Sequence, residues 1–401
     1  MKNINYYLFI IVITISSCDK EDGIVNIPDN PEDKIPIVFT NEIMDLTVYS
    51  ATISGGLNDD KGELIEEIGV VIDTFPNPTI SNNIFSAIVE LDSNNEFVQE
   101  VKSFESETNY YYRTYAKNSF GIGYGNEVVF LSKFDKHYPL IAYLNGQEEV
   151  DAFGQHNYTS VNGLNLEGQI NDLSPLSSIV YTVNGIDIEE TVGLKNLIGL
   201  SNLEIVGTRS ANGIYIKNNT DLVNLEGLSS LRQINGWLFL EGNDNFENFN
   251  GVENLELINL GDLRIQESKN LVNFSGLQNV WGIGGDLFIS NCPKLTDLNF
   301  LTNVSIVYSI YLQKCDLVQN LDPLINIQSA NSVTVRNNYE LNSIEGLGSL
   351  QSINTYLWIY NNASLSNFCP LRSALEASQI IDIRIYDNLE NPSIEDIIND
   401  C

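Results

Sequence analysis

The chain has 401 residues and carries 20 Lys and Arg against 53 Asp and Glu, which gives a formal net charge of −33. Nucleic acids and anionic membrane surfaces attract basic patches, so this balance excludes both as electrostatic partners. The carboxylates are scattered and form no D-x-[DN]-x-[DN]-G loop, which indicates a self-repelling surface rather than a calcium site.

The N-terminus has the features of an export signal. Its apolar run, Tyr6 to Ile15, is too short to span a bilayer as a helix. Residues 1–17, followed by Cys18, resemble a bacterial lipoprotein signal peptide, and the resemblance implies lipidation of Cys18. The segment Asp19–Asp22 resembles the signal that sends lipoproteins of Bacteroidota to the outer face of the outer membrane. The alternative is an ordinary secretory signal in which Cys18 is coincidental.

Residues 18–35 are rich in proline, aspartate and glutamate. A segment of this composition buries too little apolar surface to fold, so we predict a flexible acidic tether. Such a tether would hold the folded part of the chain away from the membrane.

Residues 36–133 are predicted to form a small β-sandwich, because short alternating segments recur between turn-rich ones. The segments are Asp45–Val48, Ala51–Ser54, Ile68–Ile72, Ala87–Leu91, Tyr110–Tyr115 and Glu127–Phe130. The run Glu107–Asn118, followed by Gly121–Gly125, resembles the end of fibronectin type III-like domains in Bacteroidota surface proteins. The resemblance implies a spacer or a ligand-binding module. It also implies that one tyrosine of the run forms the tyrosine corner of this fold.

Within the predicted domain 134–401, the stretch Ile214–Asn388 repeats one pattern: an apolar residue, any residue, an apolar residue, two further residues and then a small polar one. The first residues of successive copies are 23 to 26 positions apart, a period typical of solenoids. Each copy predicts a short strand with one inward and one outward face. The copies are Ile214–Ile216, Leu238–Leu240, Leu263–Ile265, Leu287–Ile289, Ile310–Leu312, Val333–Val335, Leu357–Ile359 and a closing Ile383–Ile385.

A second apolar series, spaced by three residues, follows each strand, as in Leu222, Leu225, Leu228, Leu231 and Ile234. These side chains are predicted to share the interior with the strand, and a single coil can bury them only by stacking on its neighbours. Two weaker rungs, Leu164–Leu166 and Ile186–Ile188, extend the repeats to about 160–388. The long step to the next copy predicts a bulge near Thr208–Asn212.

The first rung of a solenoid has an open apolar end that needs a cover. The segment Gln147–Gly154 has helical character, with Val150 and Phe153 three residues apart. We therefore predict a helical cap within about 140–158.

The repeat, as it stands in Leu222–Leu240, resembles the receptor L domain. The resemblance implies a right-handed β-helix, related to leucine-rich repeats, over 134–401, and a binding function without naming the ligand. The predicted fold class is thus mainly β, with an N-terminal fibronectin type III-like sandwich followed by a solenoid with a helical N-terminal cap.

Four cysteines remain besides Cys18, an even number in an exported chain. Cys292 and Cys315 take the same position in consecutive rungs, where stacking would bring their Cα atoms to about 5 Å, within disulfide range. They form either a disulfide or two free thiols in an interior ladder. Cys369 and Cys401 would clamp residues 369–401, unless the tail is frayed.

Most other copies carry Asn at that position: Asn219, Asn243, Asn338, Asn362 and Asn388. Asn amides stacked in a turn satisfy the backbone groups of adjacent rungs, so we expect a structural ladder without a catalytic role.

Residues suited to catalysis are scarce. The two histidines, His137 and His156, form no H-x-x-x-H pair and neighbour no nucleophile elbow. The segment Gly282–Gly285 lacks the Lys-Ser/Thr of a phosphate-binding loop. We expect no enzyme, no metal and no cofactor.

The middle residue of each strand is predicted to face solvent, and five of the eight are aromatic. Register places them in stripes on one sheet face, where aromatic anchors are typical of protein interfaces and flat rings also stack on sugars. The structural alternative is a ladder of β-favouring rings that stack on one another. The candidate ligand-binding residues are Tyr215, Phe239, Arg264, Phe288, Tyr311, Trp358, Tyr360 and Tyr386, with Thr334 and Arg384 completing the row.

Three functions are consistent with these features. The first is a surface-anchored adhesion lipoprotein that binds a protein ligand on the solenoid face. The second is a glycan-binding lipoprotein for nutrient capture, and the third is a structural spacer of the envelope.

Overall fold

The computed structural model of the protein describes residues 31–46, 50–102, 104–133, 135–207, 212–377 and 379–401. The predicted signal peptide, the lipidation site Cys18 and most of the tether lie outside these residues, as do residues 208–211 of the predicted bulge. The chain forms two compact units. One comprises Met1–Asp45, Ala51–Val101 and Asn109–Leu131, and the other comprises Leu46–Ser50, Lys102–Thr108 and Ser132–Cys401.

The N-terminal part of the chain contains two small sheets. Its strands are β1 (Ile37–Thr40), β2 (Ser50–Asp59), β3 (Glu67–Asp73), β4 (Phe85–Ile88), β5 (Glu96–Lys102), β6 (Asn109–Asn118), β7 (Gly121–Tyr124) and β8 (Val128–Leu131). One sheet has the order β1-β2-β5. The other has the order β4-β3-β6-β7 with antiparallel pairs, and β8 also pairs with β6.

Strand β6 supplies large buried side chains on both of its faces, because Tyr112 and Tyr115 are three positions apart. Tyr112 and Tyr115 are almost fully buried. The Tyr112 hydroxyl donates to the carbonyl oxygen of Asn41 at 2.5 Å, and the Tyr115 hydroxyl donates to the carboxylate of Glu67. Burial raises the pKa of Tyr112, so its hydroxyl stays protonated and remains a donor at physiological pH.

Residues 31–35, predicted as the end of the flexible tether, are folded. Pro31–Lys34 form a 3-10 turn. The Lys34 ammonium lies 3.1 Å from a carboxylate oxygen of Glu63 and 4.8 Å from the ring centroid of Phe120. The Lys34 carbonyl accepts a hydrogen bond from Asn118 Nδ2 at 2.7 Å. These contacts connect residues 31–35 to the N-terminal strands, and the flexibility of the tether stays a prediction.

The C-terminal part is one large parallel sheet with three short helices. Its strands are β9 (His137–Asn145), β10 (Ser160–Gln169), β11 (Tyr181–Thr182), β12 (Ile186–Val192), β13 (Ile205–Val206), β14 (Asn212–Lys217), β15 (Gln233–Glu241), β16 (Leu257–Gln266), β17 (Gly282–Ile283), β18 (Leu287–Ser290), β19 (Ile310–Gln313), β20 (Ser329–Arg336), β21 (Ser352–Tyr360) and β22 (Asp382–Tyr386). The helices are α1 (Gln147–Gly154), α2 (Arg372–Ala377) and α3 (Ile394–Asp400). Its strand order is β13-β11-β10-β12-β14-β15-β16-β18-β19-β20-β21-β22, as expected for the mainly β solenoid predicted from the repeat.

Equivalent residues of the repeat pair with each other between rungs. Ile214 pairs with Leu238, and Leu238 pairs with Leu263. The inward residues of the strands and the three-spaced leucines, such as Leu222 and Leu225, are buried. Stacking therefore hides the apolar surface that one coil alone would leave in water.

Strand β9 is an additional rung that the repeat pattern does not predict. Ala142 and Leu144 pair in register with Leu164 and Leu166 of β10. Helix α1 follows directly at the predicted position, and its Val150 is fully buried.

The predicted asparagine ladder lies at the corner after each strand. The Asn362 backbone N–H donates to Asn388 Oδ1 at 3.1 Å, and Asn362 Nδ2 donates to the carbonyl oxygen of Val335 at 3.0 Å. Asn219 makes the same bonds one rung apart, to Asn243 Oδ1 and to a strand carbonyl. The residue before each ladder position has positive φ, and Asn, which tolerates this conformation, often occupies it.

Cys292 and Cys315 continue the ladder as buried free thiols. Each sulfur lies near a carbonyl oxygen at the end of its own strand, 3.5 Å from Ser290 O and 3.4 Å from Gln313 O. The structure thus corrects the disulfide alternative for this pair, because the thiols cap strand ends as the hydroxyl of Ser268 does. Burial raises the pKa of the Cys315 thiol.

The predicted disulfide between Cys369 and Cys401 is present, with Cα atoms 5.2 Å apart. It joins the end of the last repeat to the end of helix α3. Helix α3 begins with a capping box, in which Ser393 and Asp396 bond each other's backbone, and it buries Ile397 against the solenoid core. The clamp therefore holds an amphipathic helix on the last rung.

Candidate functional site on the outer face of the parallel sheet

The outward side chains of consecutive rungs lie beside one another, as the register of the repeat predicts. Thr334 is buried and adds no exposed surface, whereas the aromatic rings of the row are partly exposed. The structure brings the predicted candidates together on one face. In order of pairing they are Tyr215, Phe239, Arg264, Phe288, Tyr311, Thr334, Trp358 and Arg384, and Tyr360 pairs with Tyr386.

An arginine lies over an aromatic ring at the middle of this face. The guanidinium carbon of Arg264 is 4.2 Å from the ring centroid of Phe288. The Phe288 ring in turn lies 5.9 Å from the ring of Tyr311, between centroids. The ring quadrupole attracts the cation and holds the side chain flat against the sheet.

The same arrangement recurs three rungs further at Arg336. Its guanidinium carbon lies 5.7 Å from the ring centroid of Tyr360, and its Nη1 donates to the Tyr360 hydroxyl at 2.6 Å. Its Nε donates to Gln313 Oε1 at 2.5 Å. The Tyr360 ring stacks on Tyr386 with centroids 4.7 Å apart and planes 7° apart.

The last pair is Arg384 over Trp358, at 4.4 Å from guanidinium carbon to ring centroid. Asp382 holds both partners, because its Oδ2 lies 2.8 Å from Arg384 Nη2 and accepts from Trp358 Nε1 at 3.1 Å. Three of the seven arginines of the chain therefore lie against rings on one face. We call the aromatic–arginine band the set Arg264, Phe288, Tyr311, Arg336, Trp358, Tyr360, Arg384 and Tyr386.

The other end of the row carries a separate aromatic cluster. The ring of Tyr215 lies 5.7 Å from that of Phe239 and 5.8 Å from that of Trp237, between centroids. Trp237, 38% exposed, and Tyr356, 41% exposed, belong to this face but were not predicted as candidates. Each lies two positions before the middle residue of its copy of the repeat. The alternation of inward and outward side chains that predicts an outward middle residue therefore also predicts Trp237 and Tyr356 on this face.

Beside this cluster the face is hollowed into a groove of about 310 Å³. Its floor has no side chains, because a glycine occupies the same outward position in three neighbouring rungs. These glycines, which directly precede the inward residues Leu164, Ile186 and Ile214, are Gly163, Gly185 and Gly213. Ile141 of β9 lines one end, where it pairs with Gly163. Tyr215 lines the groove toward the other end.

The groove is acidic. Asp187 and Glu189, on the same face of β12, both line it. Desolvation and then the neighbouring charge of Glu189 raise the pKa of Asp187. Desolvation, followed by the charges of Asp187 and Asp262, also raises the pKa of Tyr215. An anionic ligand would meet the same repulsion.

A second pocket, of about 390 Å³, lies beside helix α1. Tyr138, Phe153 and Tyr158 line it, with their ring centroids 5.1 to 5.2 Å apart. The rings pack mainly on each other. The sequence analysis assigned this segment to a cap and predicted no pocket there.

The two histidines have structural surroundings. His137 Nδ1 lies 2.8 Å from the Ser160 hydroxyl, and the His156 ring lies 5.5 Å from that of Tyr158. Within the described residues, no group of three or more His, Cys, Asp or Glu side chains is placed to hold a metal ion. No helix in the described ranges is both long and apolar enough to cross a membrane.

Comparison with known proteins adds no relative to these observations. No family model matches the sequence, and no curated protein matches it significantly.

Proposed function

We propose that this protein is a surface-anchored adhesion module whose solenoid presents the aromatic–arginine band to a protein ligand. The observation that carries the proposal is the placement of Trp358, Tyr360 and Arg384 with their neighbours, partly exposed, on one sheet face. Trp, Tyr and Arg are the residue types that contribute most to binding energy in protein interfaces. The proposal involves no catalysis and no cofactor.

The band is suited to association because its side chains are already held in place. Ring stacking, cation–π contacts and the Asp382 carboxylate restrict Arg384 and Trp358 before any ligand arrives. Side chains that are ordered in the free protein lose less entropy on binding. In a chain with net charge −33, the three arginines also give this face a local positive component that an acidic patch on a partner would complement.

The rest of the chain is assigned supporting roles in this proposal. The two N-terminal sheets act as a fibronectin type III-like spacer, and helix α1 caps a right-handed, receptor L domain-like solenoid. The burial of Val150 beside the first rungs supports the capping role. Lipidated Cys18 anchors the chain in the outer membrane, facing the exterior, and the sequence around that residue supports the anchor.

The experiment is a capture assay with the full chain on a solid support. Surface-protein extracts of host cells and of bacteria are offered to the wild type and to a band variant that carries Tyr311→Ala, Trp358→Ala and Tyr360→Ala. The partner is identified, purified and titrated against both proteins. We expect the band variant to bind it at least about a hundredfold more weakly, since each of the three truncated anchors contributes on the order of 1–2 kcal/mol.

A matched control carries Leu317→Ala, Ile325→Ala and Tyr339→Ala. These three residues are more exposed than Tyr311, Trp358 and Tyr360, and they lie on turns and a 3-10 helix of the same solenoid rather than on its strands. Circular dichroism and thermal melting establish that both variants fold. Equal affinity of the wild type, the band variant and the control for every captured protein would overturn the proposal and leave the rings as a structural ladder.

A further inference from the structure

The groove on the outer face of β10, β12 and β14 differs from the rest of that face in having no side chains on its floor. In the other copies the equivalent position carries a side chain in every case: Trp237, Asp262, Asp286, Ser309, Ser332, Tyr356 or Asp382. Its volume of about 310 Å³ lies at the lower end of the range for small-ligand sites, which is about 300–1,000 Å³. Three adjacent strands spaced by about 4.8 Å make it long enough for two sugar rings in a row.

The floor glycines differ in how much space they have. A Cβ on Gly213 would lie 2.0 Å from the backbone oxygen of Trp237, so that glycine permits a close approach of two chains. A Cβ on Gly163 would meet its nearest atom, the Gly185 carbonyl oxygen, at 3.2 Å. Gly163 can therefore accept a side chain with a small adjustment, and any such side chain would rise from the groove floor.

The polar groups of the lining include both donors and acceptors that have no partner in the part of the chain that the structure describes. Among the described residues, neither carboxylate, Asp187 nor Glu189, accepts a hydrogen bond. Asn212 Nδ2 donates to Asn184 Oδ1 at 3.2 Å, which leaves the Asn184 amide donors unused. The Tyr215 hydroxyl, half-buried at the edge of the groove, also has no partner within the described chain.

Partly desolvated polar groups of this kind are costly to leave unsatisfied. The raised pKa of Asp187 reflects this cost. A ligand that brings hydroxyl groups would satisfy donors and acceptors together. A basic side chain would bring donors only, and an anion would be repelled by Asp187 and Glu189.

The aromatic cluster completes the match to a sugar. Tyr215 lines the groove, and Trp237, more than a third exposed, lies on the next rung in register with Gly213. Pyranose rings combine an apolar face of C–H groups with hydroxyls at the rim, so they pack on rings while bonding to carboxylates and amides. The flat floor, the polar wall and the aromatic end therefore all lie within four neighbouring rungs, those of β10, β12, β14 and β15.

We propose that this groove is a binding site for a neutral saccharide of one or two pyranose rings. It is separate from the aromatic–arginine band, and it goes beyond the proposed adhesion function. A glycosylated partner could engage both sites at once, since they lie on the same face of the same sheet.

The test is titration of the full chain with defined neutral disaccharides: cellobiose, maltose, mannobiose, xylobiose and chitobiose. Saturation-transfer NMR detects binding at millimolar concentration. Asp187→Ala removes the unpartnered carboxylate, and Gly163→Val fills the floor. We expect at least one sugar to bind the wild type and each of these variants to weaken it by about tenfold or more, which corresponds to one good hydrogen bond or a blocked subsite.

Each variant has a matched control. Asp316→Ala removes an exposed carboxylate elsewhere on the solenoid, and Gly348→Val adds a side chain where an ideal Cβ would meet only ordinary contacts at 3.7 Å or more. Both should bind sugar like the wild type. Thermal melting checks that Gly163→Val folds, and Asp187→Ala provides the test should it not.

Three results would overturn the proposal. The first is the absence of binding by every disaccharide, and the second is binding that Asp187→Ala and Gly163→Val leave intact. The third is a basic ligand taking the groove instead. In that case a blocked arginine peptide, but not its citrulline counterpart, would bind the wild type, and Asp187→Asn would abolish binding as fully as Asp187→Ala.

For a sugar, Asp187→Asn should retain part of the affinity, because an amide oxygen still accepts from a hydroxyl. The band variant should bind sugar normally, and the groove variants should bind the protein ligand normally. Failure of this inference is therefore distinguishable from failure of the proposed adhesion function.

Discussion

At the scale of single residues, the asparagine ladder links neighbouring rungs through buried amide groups. Asn362 is fully buried. Its amide donates to Val335 and Asn388, and its Oδ1 accepts from the backbone of Asn338 at 3.1 Å. We expect Asn362→Ala to lower the free energy of unfolding by about 3 kcal/mol, because it leaves buried donors and acceptors unsatisfied. Chemical denaturation followed by circular dichroism would measure this change.

The neighbouring Asn361 supplies the control. It is exposed, and its φ of 56° suits glycine. Asn361→Gly should therefore cost less than about 1 kcal/mol. Similar losses in the two variants would show that the corner as a whole, and not the ladder bond, sets the stability.

At the scale of elements, the strands of the solenoid could be predicted because three sequence signals agree. The period, the alternation within each strand and the three-spaced leucines all require the same stacked coil, so the register of Ile214 on Leu238 follows. Strand β9 has none of these signals. Pro139 interrupts it, Ala142 is a small inward residue, and no ladder residue follows, so only pairing with β10 identifies it as a rung.

Helix α3, at the C-terminus, depends on the disulfide between Cys369 and Cys401, which the sequence indicated. Thirty-two residues separate Cys369 from Cys401, and helix α3 within that loop buries Ile397 as its one buried residue. Replacing both cysteines by serine should lower the free energy of unfolding by about 3–4 kcal/mol, on the loop-entropy model. Denaturation of the wild type with and without reductant gives a second, independent measurement of what the disulfide contributes to the free energy of unfolding.

The double serine variant is its own control for reductant, which should change its stability little. Alkylation in denaturant before reduction should label Cys292 and Cys315 but neither Cys369 nor Cys401. Labelling of Cys369 in the unreduced protein would contradict the link. A disulfide between Cys292 and Cys315 would contradict the free-thiol ladder.

At the scale of the whole molecule, the site could be predicted only where it follows the repeat. The middle residues of the strands form a row whatever the details of each rung, so Phe288 and Trp358 were expected on one face. The groove could not be predicted in this way. Gly163, Gly185 and Gly213 are unremarkable along the chain, and they form a floor only because their rungs stack. Its acidity likewise depends on which of many scattered carboxylates the stacking brings together.

The concentration of acidic groups also limits the stability of the molecule as a whole. The neighbouring carboxylate of Glu189 contributes to the raised pKa of Asp187, and that of Asp262 contributes to the raised pKa of Asp286. A raised pKa means that the folded state holds the proton more tightly than the unfolded state does. The stability contributed by such a group is therefore fully present below its unfolded-state pKa and is lost as the pH rises through its raised folded-state pKa.

Because the net charge is −33, screening should stabilise the folded chain at neutral pH. Raising NaCl from about 10 mM to about 150 mM shortens the screening length from about 30 Å to about 8 Å, so repulsion between distant carboxylates largely disappears. We expect calorimetry to show a melting temperature that rises with salt at pH 7.5 and rises less at pH 5, where these groups begin to bind protons. Tetramethylammonium chloride should act like NaCl at equal ionic strength. A larger effect of NaCl would instead show that sodium binds specific carboxylates, and a melting temperature independent of both salts would mean that the acidic groups lie too far apart to repel.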